Sequence, residues 1–494
     1  MLSAVLRRVV IGAAIAALVA GCDSGNDKKA AKTAPAKPKG PPPPAMSFVS
    51  RPDLKPPPVR VDIPAQNTSP GYIFFAPKMK VLQAGPEIID NDGQVVWFEP
   101  LNTHGVSDFR PQSYMGKPVL TWWRGNAPMG VGTGGYVIAD DSYRQIARVR
   151  AGNGLSGDIH EFKITQNNTA LFTVYRQIRD LDLSSFKGPK QGRIFEGIVQ
   201  EVDIPSGRVL FEWHSYPEIG LSESYAPPPK ATAKKPAPWD YFHINSIEVE
   251  PDGNFLISAR NTHTIYELDR KTKKILWRLG GKKSDFAMGP GTNFEWQHDA
   301  RRQPDGTITL FDNGAAPPIE KFSRILRINA DTSAMKATLV RSYRHPQRLL
   351  APFEGNAQAL PDGHTFVGWG GVPYVSEFDS SGRMVFDMRF GKLTGRITGP
   401  NQDADSYRAY RFVWHGYPLD APAVAAKDGK LYASWNGATE VARWRLMADG
   451  AASTTVPKSG FETAIPIPAG ATHVSVVALN AQGTELGRSK IVTP

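Results

Sequence analysis

The chain has 494 residues, 41% of them hydrophobic and 21% charged, and a formal net charge of +11. The excess charge lies in two Lys- and Pro-rich segments: residues 23–60 hold eight Lys and Arg against three Asp, and residues 226–238 hold three Lys and no acidic residue. The charge therefore indicates a basic stalk near an anionic membrane surface, not a nucleic-acid groove, and we expect no nucleic-acid partner.

The first 21 residues are typical of a bacterial lipoprotein signal peptide. Arg7 and Arg8 precede an apolar stretch that is too short to span a bilayer. The stretch ends in Leu-Val-Ala-Gly-Cys, which resembles a lipobox, so we expect Cys22 to receive the lipid. The alternative is an ordinary signal peptide with a chance cysteine. Because Cys22 is the only cysteine, no internal disulfide can form, and we predict an extracytoplasmic protein of the cell envelope, anchored to the membrane by lipid.

Residues 22–62 are predicted to be a tether. They are rich in Lys, Ala and Pro and contain few large apolar side chains, so they cannot build a core. Proline-rich chain of this kind is extended and semi-rigid.

Residues 63–418 are dominated by repeats. Six alternating hairpins, each turning near an Asp or Asn, lie at 86–98, 135–149, 199–213, 264–279, 325–340 and 374–388. Further pairs of strands precede four of them, at 160–176, 243–260, 298–314 and 356–371. Four strands per repeat at this spacing are typical of propeller blades. The sequence predicts an all-β fold with a six-bladed β-propeller, whose chain ends share a blade because the first repeat lacks its leading strands.

Residues 419–494 show short strands with a Trp on an early strand. This pattern looks like a small fibronectin type III or Ig-like β-sandwich. We assign it no chemistry.

Two matches to G-x-G-x-x-G, at 130–135 and 152–157, run into β-pattern instead of a helix, so they do not indicate dinucleotide binding. Residues 456–460 superficially resemble a phosphosulfate-binding loop and also run into a predicted strand. No pair of histidines has the spacing of a metal motif. We therefore expect neither a cofactor nor a metal.

The first residues of the four leading strand pairs are His160, His243, His298 and Asn356. If the strands are equivalent, these side chains lie at one level of the central channel. Arg260, at the end of the strand after that of His243, could reach the same end. Imidazoles with a guanidinium suit sulfate or phosphate, and a histidine can donate a hydrogen bond, exchange a proton or attack as a nucleophile.

Several motifs of the repeat region resemble those of the bacterial arylsulfotransferase family. They are HINS at 243–246, Arg260, WQHDAR at 296–301, FDNG at 311–314 and GWG at 368–370. The resemblance implies a six-bladed propeller that uses neither nucleotide nor metal. It also implies transfer of a sulfuryl group from an aryl sulfate to a phenol through a sulfohistidine.

Carried over by motif, the resemblance implies that His298 accepts the sulfuryl group and that His243 and Arg260 bind its oxygens. His160 would complete the sulfate site or exchange the phenolic proton. Further predicted substrate contacts are Asn245, Asn313, Asn356 and Trp369, and Trp122 and Trp123 are candidates for an aromatic wall. Unlike the best-known members, the chain lacks paired cysteines and ends in a sandwich, which leaves its substrate in doubt.

Two alternatives stay open. A non-catalytic propeller lipoprotein could act as an envelope scaffold or binding module and would need no polar cluster in its channel. A quinone-dependent dehydrogenase is suggested by the pattern from Asp269 to Trp277, but it would require a calcium site of carboxylates that the channel positions do not offer.

Overall fold

The computed structural model describes residues 44–103, 105–393 and 404–494. Within these residues the chain forms strands and only three short 3-10 helices, Pro128–Gly130, Ser184–Phe186 and Leu221–Glu223. The all-β prediction is confirmed. None of the helices among these residues is long and apolar enough to cross a membrane. The predicted signal peptide, Cys22 and the first half of the predicted tether lie outside the described residues.

The strands up to residue 412 are, in chain order, β1 (Val59–Ile63), β2 (Tyr72–Phe75), β3 (Lys78–Met79), β4 (Glu87–Ile89), β5 (Val95–Phe98), β6 (Val106–Tyr114), β7 (Lys117–Asn126), β8 (Thr133–Ala139), β9 (Gln145–Val149), β10 (Gly157–Ile164), β11 (Thr169–Leu181), β12 (Gly192–Asp203), β13 (Val209–His214), β14 (Trp239–Asp240), β15 (Ile244–Val249), β16 (Phe255–Ala259), β17 (Thr264–Leu268), β18 (Ile275–Gly280), β19 (Ala287–Met288), β20 (His298–Arg302), β21 (Ile308–Asp312), β22 (Arg324–Asp331), β23 (Lys336–Tyr343), β24 (Asn356–Ala359), β25 (Thr365–Gly368), β26 (Tyr374–Phe378), β27 (Met384–Phe390), β28 (Ala404–Asp405) and β29 (Ala409–Phe412). The remaining strands are β30 (Ala423–Lys427), β31 (Lys430–Ser434), β32 (Arg443–Ala448), β33 (Ala451–Pro457), β34 (Glu462–Pro466), β35 (Val474–Leu479) and β36 (Glu485–Arg488).

Strands β2 to β29 build a ring of four-stranded antiparallel blades. Blade 1 is β29, β2, β4 and β5, and blades 2 to 6 are β6–β9, β10–β13, β15–β18, β20–β23 and β24–β27. In the described part of the chain the innermost strands contact one another in a closed circuit, in the order β29, β6, β10, β15, β20, β24 and again β29. The fold is therefore a β-propeller with its inner strands around a central axis.

The outer hairpins turn as the sequence predicts, at aspartates that accept backbone hydrogen bonds. Asp90 Oδ1, for example, accepts the N–H of Asp92 and of Gln94, both at 2.9 Å. Such Asx geometry stabilises a tight turn between two strands. The fifth hairpin departs from the prediction: Asn329 lies within β22, and Asp331 makes the turn by accepting the N–H of Ser333.

The two ends of the repeat region share blade 1. The sequence predicts this sharing because its first repeat lacks the leading pair of strands. Strand β29 pairs antiparallel with β2, from Tyr72–Phe412 to Phe75–Ala409. The pairing ties the end of the propeller to its beginning and closes the ring.

Part of the predicted tether is packed, which moves its boundary. Leu54 is fully buried in a cluster with Phe98 and Phe461, and Met46 and Phe48 pack against the same cluster. Strand β1 pairs with β27 along the outer edge of blade 6. These apolar side chains bury area that an exposed tether would leave in water, so the packed chain begins before residue 63.

After the propeller, the chain forms two antiparallel sheets. One has the order β30, β31, β34, and the other β33, β32, β35, β36. They enclose a core of their own that includes Leu431, Trp444, Leu446, Ile465 and Val476. The finer assignment to the fibronectin type III class stays a prediction.

Candidate active site

One end of the central axis holds a cavity of about 840 Å³. The three predicted histidines, His160, His243 and His298, and the predicted Arg260 all line it. The ring centroids of His160 and His243 are 4.8 Å apart, and those of His243 and His298 are 6.4 Å apart. The structure thus brings together four side chains that are distant in sequence.

Local backbone irregularities aim these side chains. The pairing of β20 with β21 shifts register between His298 and Arg301, and Asp299 has a positive φ of 57°. Such a bulge turns consecutive residues in different directions. Asp299 consequently accepts the N–H of Ala357 in blade 6 at 3.2 Å, while His298 lines the cavity.

The hydrogen bonds of His298 determine its tautomer. Its Nδ1 lies 2.7 Å from Oδ1 of Asn313 and 3.2 Å from the carbonyl oxygen of Trp296. The amide of Asn313 is oriented in turn, because its Nδ2 donates to the carbonyls of Ala351 and Glu354, both at 2.9 Å. Since both partners of Nδ1 are acceptors, Nδ1 carries the proton and Nε2 carries a lone pair.

His298 is also held neutral by its surroundings. The side chain is buried, and burial followed by the positive charge of Arg260 sets its pKa well below the ordinary histidine value. The Nε2 lone pair accepts only a long hydrogen bond, 3.3 Å from the backbone nitrogen of Glu354. A neutral imidazole with an available lone pair can act as a nucleophile.

His160 and His243 have a different kind of partner. Their Nδ1 atoms contact carboxylates, those of Asp158 and Asp240 respectively. Strand β14 supplies Asp240 and lies alongside β12. Burial lowers the pKa of His243, and the Asp240 carboxylate opposes that effect. Because Nδ1 is engaged, Nε2 of each ring is the atom left to contact a ligand.

Arg260 is a cation without a carboxylate partner among the described ion pairs. Its Nη1 donates to Oδ1 of Asn261 at 2.8 Å and its Nη2 to the carbonyl of Pro352 at 3.2 Å, while its guanidinium lies 4.7 Å from the ring centroid of Trp296. Burial lowers its pKa to about 10, so it stays charged at neutral pH. A half-buried guanidinium that forms no ion pair with a carboxylate among the described residues favours an anionic ligand.

The cavity also contains a cluster of charged residues that the sequence did not predict. Lys78 Nζ lies 2.7 Å from Oε1 of Glu354 and 2.7 Å from Oδ1 of Asp405, and all three residues line the cavity. Lys78 and Asp405 come from the short β3–β28 ribbon, and Glu354 from the segment before β24, so none shares a register with the repeats. Carboxylates therefore surround the site at positions that the strand register does not indicate: Asp158 and Asp240 contact its histidines, and Glu354 and Asp405 line it.

The predicted substrate contacts through asparagines are not found at the cavity. Asn313 supports His298 instead. Asn245 is fully buried and donates to the carbonyl of Gln297 at 2.7 Å. Asn356, at the same level of blade 6, faces the closing strand and exchanges two hydrogen bonds with the backbone of Ala409.

The predicted aromatic wall is likewise corrected, because the three tryptophans belong to the core between blades. Trp369 is fully buried and donates to Oγ of Ser376 at 2.9 Å. Trp123 donates to the carbonyl of Gly157 at 3.0 Å, and Trp122 packs in a cluster formed by blades 6, 1 and 2. The aromatic rings that line the cavity belong to Phe353 and Tyr407.

The axis next to the cavity is filled by buried ion pairs. Arg408, fully buried, contacts Asp108 at 3.0 Å and Glu161 at 3.4 Å, and Arg301 contacts Glu161 at 2.5 Å and Asp299 at 2.7 Å. Opposite charges here compensate each other, unlike the charge of Arg260. The filled part of the axis is therefore balanced in charge, whereas Arg260 at the cavity has no ion-pair partner among the described residues.

The family follows from a comparison with family models. Residues 110–391, more than half of the chain, match the model described as arylsulfotransferase (ASST). The chain belongs to the arylsulfotransferase family. Its enzyme class is therefore aryl-sulfate sulfotransferase, and the prediction from the motifs is confirmed. The matched range contains every histidine of the cavity together with Arg260.

No curated protein matches the chain. Solved structures with distant similarity include a Bacteroides caccae protein of unknown function, 12% identical over 69% of this chain and 98% of that chain, with a TM-score of 0.40. The periplasmic gluconolactonase of Pseudomonas aeruginosa is 12% identical over 86% and 96%, with a TM-score of 0.35. An inactive virginiamycin B lyase of Staphylococcus aureus with quinupristin is 11% identical over 80% and 97%, with a TM-score of 0.32. Scores of this size support no inference about fold or function.

Proposed function

We propose that the cavity moves a sulfuryl group from an aryl sulfate to a phenol in two half-reactions, through a sulfohistidine on His298 and without a nucleotide. The observation that carries this proposal is the state of His298. It is neutral, its proton is held on Nδ1, and it lines the same cavity as Arg260, which forms no ion pair among the described residues.

In the first half-reaction, Nε2 of His298 attacks the sulfur of the donor. The N–S bond forms as the bond from sulfur to the aryl oxygen breaks, and the phenol leaves. The guanidinium of Arg260 supplies charged donors for the sulfonate oxygens, and His160 and His243 line the same cavity. Donors aimed at oxygens that carry the charge of the transition state supply much of the rate acceleration in such transfers.

The second half-reaction depends on the proton that stays on Nδ1. With that proton in place, the sulfated imidazole is positively charged, and neutral imidazole is the leaving group when the acceptor oxygen attacks sulfur. Asn313 suits this role because its amide oxygen holds the proton without removing it. A carboxylate partner, as His160 and His243 have, would make the imidazole more basic and a poorer leaving group.

A direct test mixes the enzyme with 4-nitrophenyl sulfate and phenol, with no nucleotide present. We expect steady release of 4-nitrophenol that depends on the phenol concentration, and we expect His298→Ala to abolish it. His415→Ala is a matched control, because His415 is exposed and pairs with Glu440 away from the cavity. Full turnover by His298→Ala, or a requirement for a nucleotide sulfate donor, would refute the proposal.

The two alternatives gain no support from the described residues. A scaffold needs no neutral histidine beside an unpaired arginine in its channel. The pattern that suggested a quinone enzyme begins at Asp269, which makes the turn between β17 and β18 by accepting the N–H groups of Lys271 and Thr272. That turn is at the outer edge of blade 4, away from the cavity.

We further propose that the mature chain begins at Cys22 and is held to the membrane by lipid, at the cell envelope. The support is the lipobox-like end of the signal peptide, and Cys22 lies outside the described residues. Labelling with a radioactive fatty acid should mark the wild type and not Cys22→Ser. Wild-type protein that partitions into the aqueous phase of a detergent extraction would contradict the anchor.

A further inference from the structure

We propose that Glu354 is the acid–base residue that moves the phenolic proton in both half-reactions. This assignment rests on the proposed sulfohistidine route. In the first half-reaction the carboxylic acid of Glu354 gives its proton to the departing aryl oxygen and becomes a carboxylate. In the second, the carboxylate takes the proton of the acceptor phenol as its oxygen bonds to sulfur and the N–S bond breaks. Each cycle therefore returns the enzyme to its starting state.

Glu354 lies beside the nucleophile. Its backbone N–H donates to Nε2 of His298 at 3.3 Å, and its side chain lines the same cavity as His298 and Arg260. The leaving and attacking oxygens both bond to the sulfur that Nε2 bonds to. A carboxyl at this wall is therefore close to both oxygens in turn, which is the first requirement for a general acid or base.

Only one of the two carboxyl oxygens of Glu354 has a hydrogen-bond partner among the described residues. Oε1 accepts a hydrogen bond from Lys78 at 2.7 Å, whereas the buried Oε2 has no hydrogen-bond partner among the described residues. The whole residue is only 8% exposed. A buried polar oxygen without a partner is costly. A rotation of the carboxyl that brings Oε2 to the cavity would let a bound phenolic hydroxyl supply the missing partner.

The backbone at Glu354 is strained. Its φ is 64°, in the left-handed region, and Gly355 follows with a φ of 101°. A side chain in this conformation costs about 1 kcal/mol or more relative to glycine. Glutamate thus occupies a position where glycine would fold more easily, which fits a side chain kept for its chemistry.

The electrostatic setting lets Glu354 exist in both protonation states near neutral pH. Burial raises its pKa to about 7, the Lys78 ammonium lowers it, and the Asp405 carboxylate raises it. The other titratable groups at this wall belong to His160, whose charge would lower the pKa, and to His298, which stays neutral. An acid–base group works best when its pKa is close to the working pH.

Other groups in the cavity are less suited to this task. His160 and His243 each hold a carboxylate through Nδ1, and Nε2 of each is needed for the sulfonate. The phenol of Tyr407, which lines the cavity, and that of Tyr175, which packs against His160, have pKa values raised well above the ordinary value by burial, so they do not ionise near neutral pH. Of the two carboxylates that line the cavity, Glu354 and Asp405, Glu354 is the one whose residue contacts His298 directly.

The test separates the two half-reactions of Glu354→Gln by rapid mixing. With 4-nitrophenyl sulfate the leaving nitrophenolate needs no acid, so the burst of nitrophenol should stay within about threefold of the wild type, a change far smaller than the loss of general acid–base catalysis. Transfer from the sulfated enzyme to phenol at pH 7 should fall roughly 10²- to 10⁴-fold. The deficit should shrink as the pH approaches that at which phenol ionises by itself, about 10.

Two further variants control for charge. Asp405→Asn removes one carboxylate beside Lys78, as Glu354→Gln does. It should nevertheless retain a pH-dependent transfer to phenol, because the proposed base, Glu354, is still present. Lys78→Met should move the pH dependence of transfer to higher pH, because removing the ammonium raises the pKa of Glu354.

The assignment is wrong if Glu354→Gln transfers to phenol at the wild-type rate with the wild-type pH profile. It is also wrong if this variant loses the nitrophenol burst and the transfer in equal proportion, because that result indicates a structural role. Absence of a burst from the wild type itself would be a different failure, since it would refute the covalent route on which the assignment rests.

Discussion

Three histidines at one level of the channel differ in the partner that each holds through Nδ1. His160 and His243 contact aspartates, and His298 contacts the amide oxygen of Asn313. A carboxylate adds a negative charge that favours a protonated ring, but burial outweighs it at His243, whereas an amide oxygen fixes the neutral tautomer of His298. The partner on Nδ1 thus distinguishes His298, the proposed nucleophile, from the two histidines assigned to the sulfonate.

Asn313→Asp tests this division. The pKa of His298 is well below its ordinary value, so the wild-type nitrophenol burst at saturating donor should be constant from pH 8 to pH 6. A carboxylate at position 313 would raise that pKa and protonate Nε2 at low pH. We expect the burst rate of the variant to fall about tenfold for each pH unit below its new pKa, measured by stopped flow.

The outcome that contradicts the tautomer argument is a variant burst as independent of pH as that of the wild type. The substitution also removes the two hydrogen bonds from Nδ2 of Asn313 to residues 351 and 354. Thermal unfolding of the variant is therefore measured first, and rates are compared only at temperatures where it is folded.

At the residue scale, the sequence predicts the site residues that begin equivalent strands of the repeats and misses the site residues that lie outside the repeats. His160, His243 and His298 were found because each begins an equivalent strand pair. Lys78 and Asp405 belong to a two-residue ribbon outside the repeats, so no periodicity connects them with the histidines. Asn356 shares the histidine register, but its strand borders the closing strand of the ring, and its side chain bonds to that backbone.

At the scale of elements, the closing strand β29 is held by side chains that imitate strand pairing. Asn356 donates to the carbonyl of Ala409 at 2.9 Å and accepts its N–H at 3.0 Å. Gln358 makes the same pair of bonds with Arg411, at 3.0 and 2.8 Å. Blades 6 and 1 are thus joined by amide side chains where the ring closes.

Asn356→Ala is expected to destabilise the protein and spare its chemistry. Two buried backbone groups of Ala409 would lose their partners, at a cost of about 1–3 kcal/mol in the free energy of unfolding. Urea unfolding should show a lower midpoint, with sulfuryl transfer per folded molecule close to that of the wild type. Gln145→Ala is the control, because Gln145 is exposed on β9 and its replacement should change neither the urea midpoint nor sulfuryl transfer.

A loss of donor affinity without loss of stability in Asn356→Ala would instead restore the substrate-binding role that its register predicts.

The blades themselves were predictable from their hairpins, because each strand alternates and each turn has its own aspartate. Strands β6 and β7 were not predicted, since β6 contains Pro111 and several polar residues that obscure its alternation.

At the scale of the molecule, the C-terminal sheets are bonded to the propeller. Asn436 exchanges two hydrogen bonds of 3.0 Å with the backbone of Phe98 at the outer strand of blade 1, and Tyr143 donates to the carbonyl of Gly437 at 2.7 Å. The segment before β1 joins them, with the rings of Phe48 and Phe461 4.3 Å apart. The C-terminal sheets are therefore packed against blades 1 and 2.

Glu462→Ala should release the N-terminal segment from the C-terminal sheets. The Glu462 carboxylate accepts the N–H of Val49 at 3.0 Å and both the N–H and the hydroxyl of Ser50 at 2.5 Å. Losing these bonds should cost about 2 kcal/mol or more and expose Phe48. Chymotrypsin should then cut after Phe48 faster than in the wild type, and equal cleavage rates would contradict this role.

The central claim is that His298 carries the sulfuryl group, and one measurement tests it most directly. Enzyme is mixed with excess 4-nitrophenyl sulfate and no acceptor, quenched under conditions that preserve N–S bonds, and mapped by mass spectrometry. The account predicts one sulfuryl group per active chain on His298, in the peptide that contains residues 296–301, matched by an equal burst of nitrophenol and removed by phenol. A label on His243 or His160, or nitrophenol release without any labelled histidine, would contradict it.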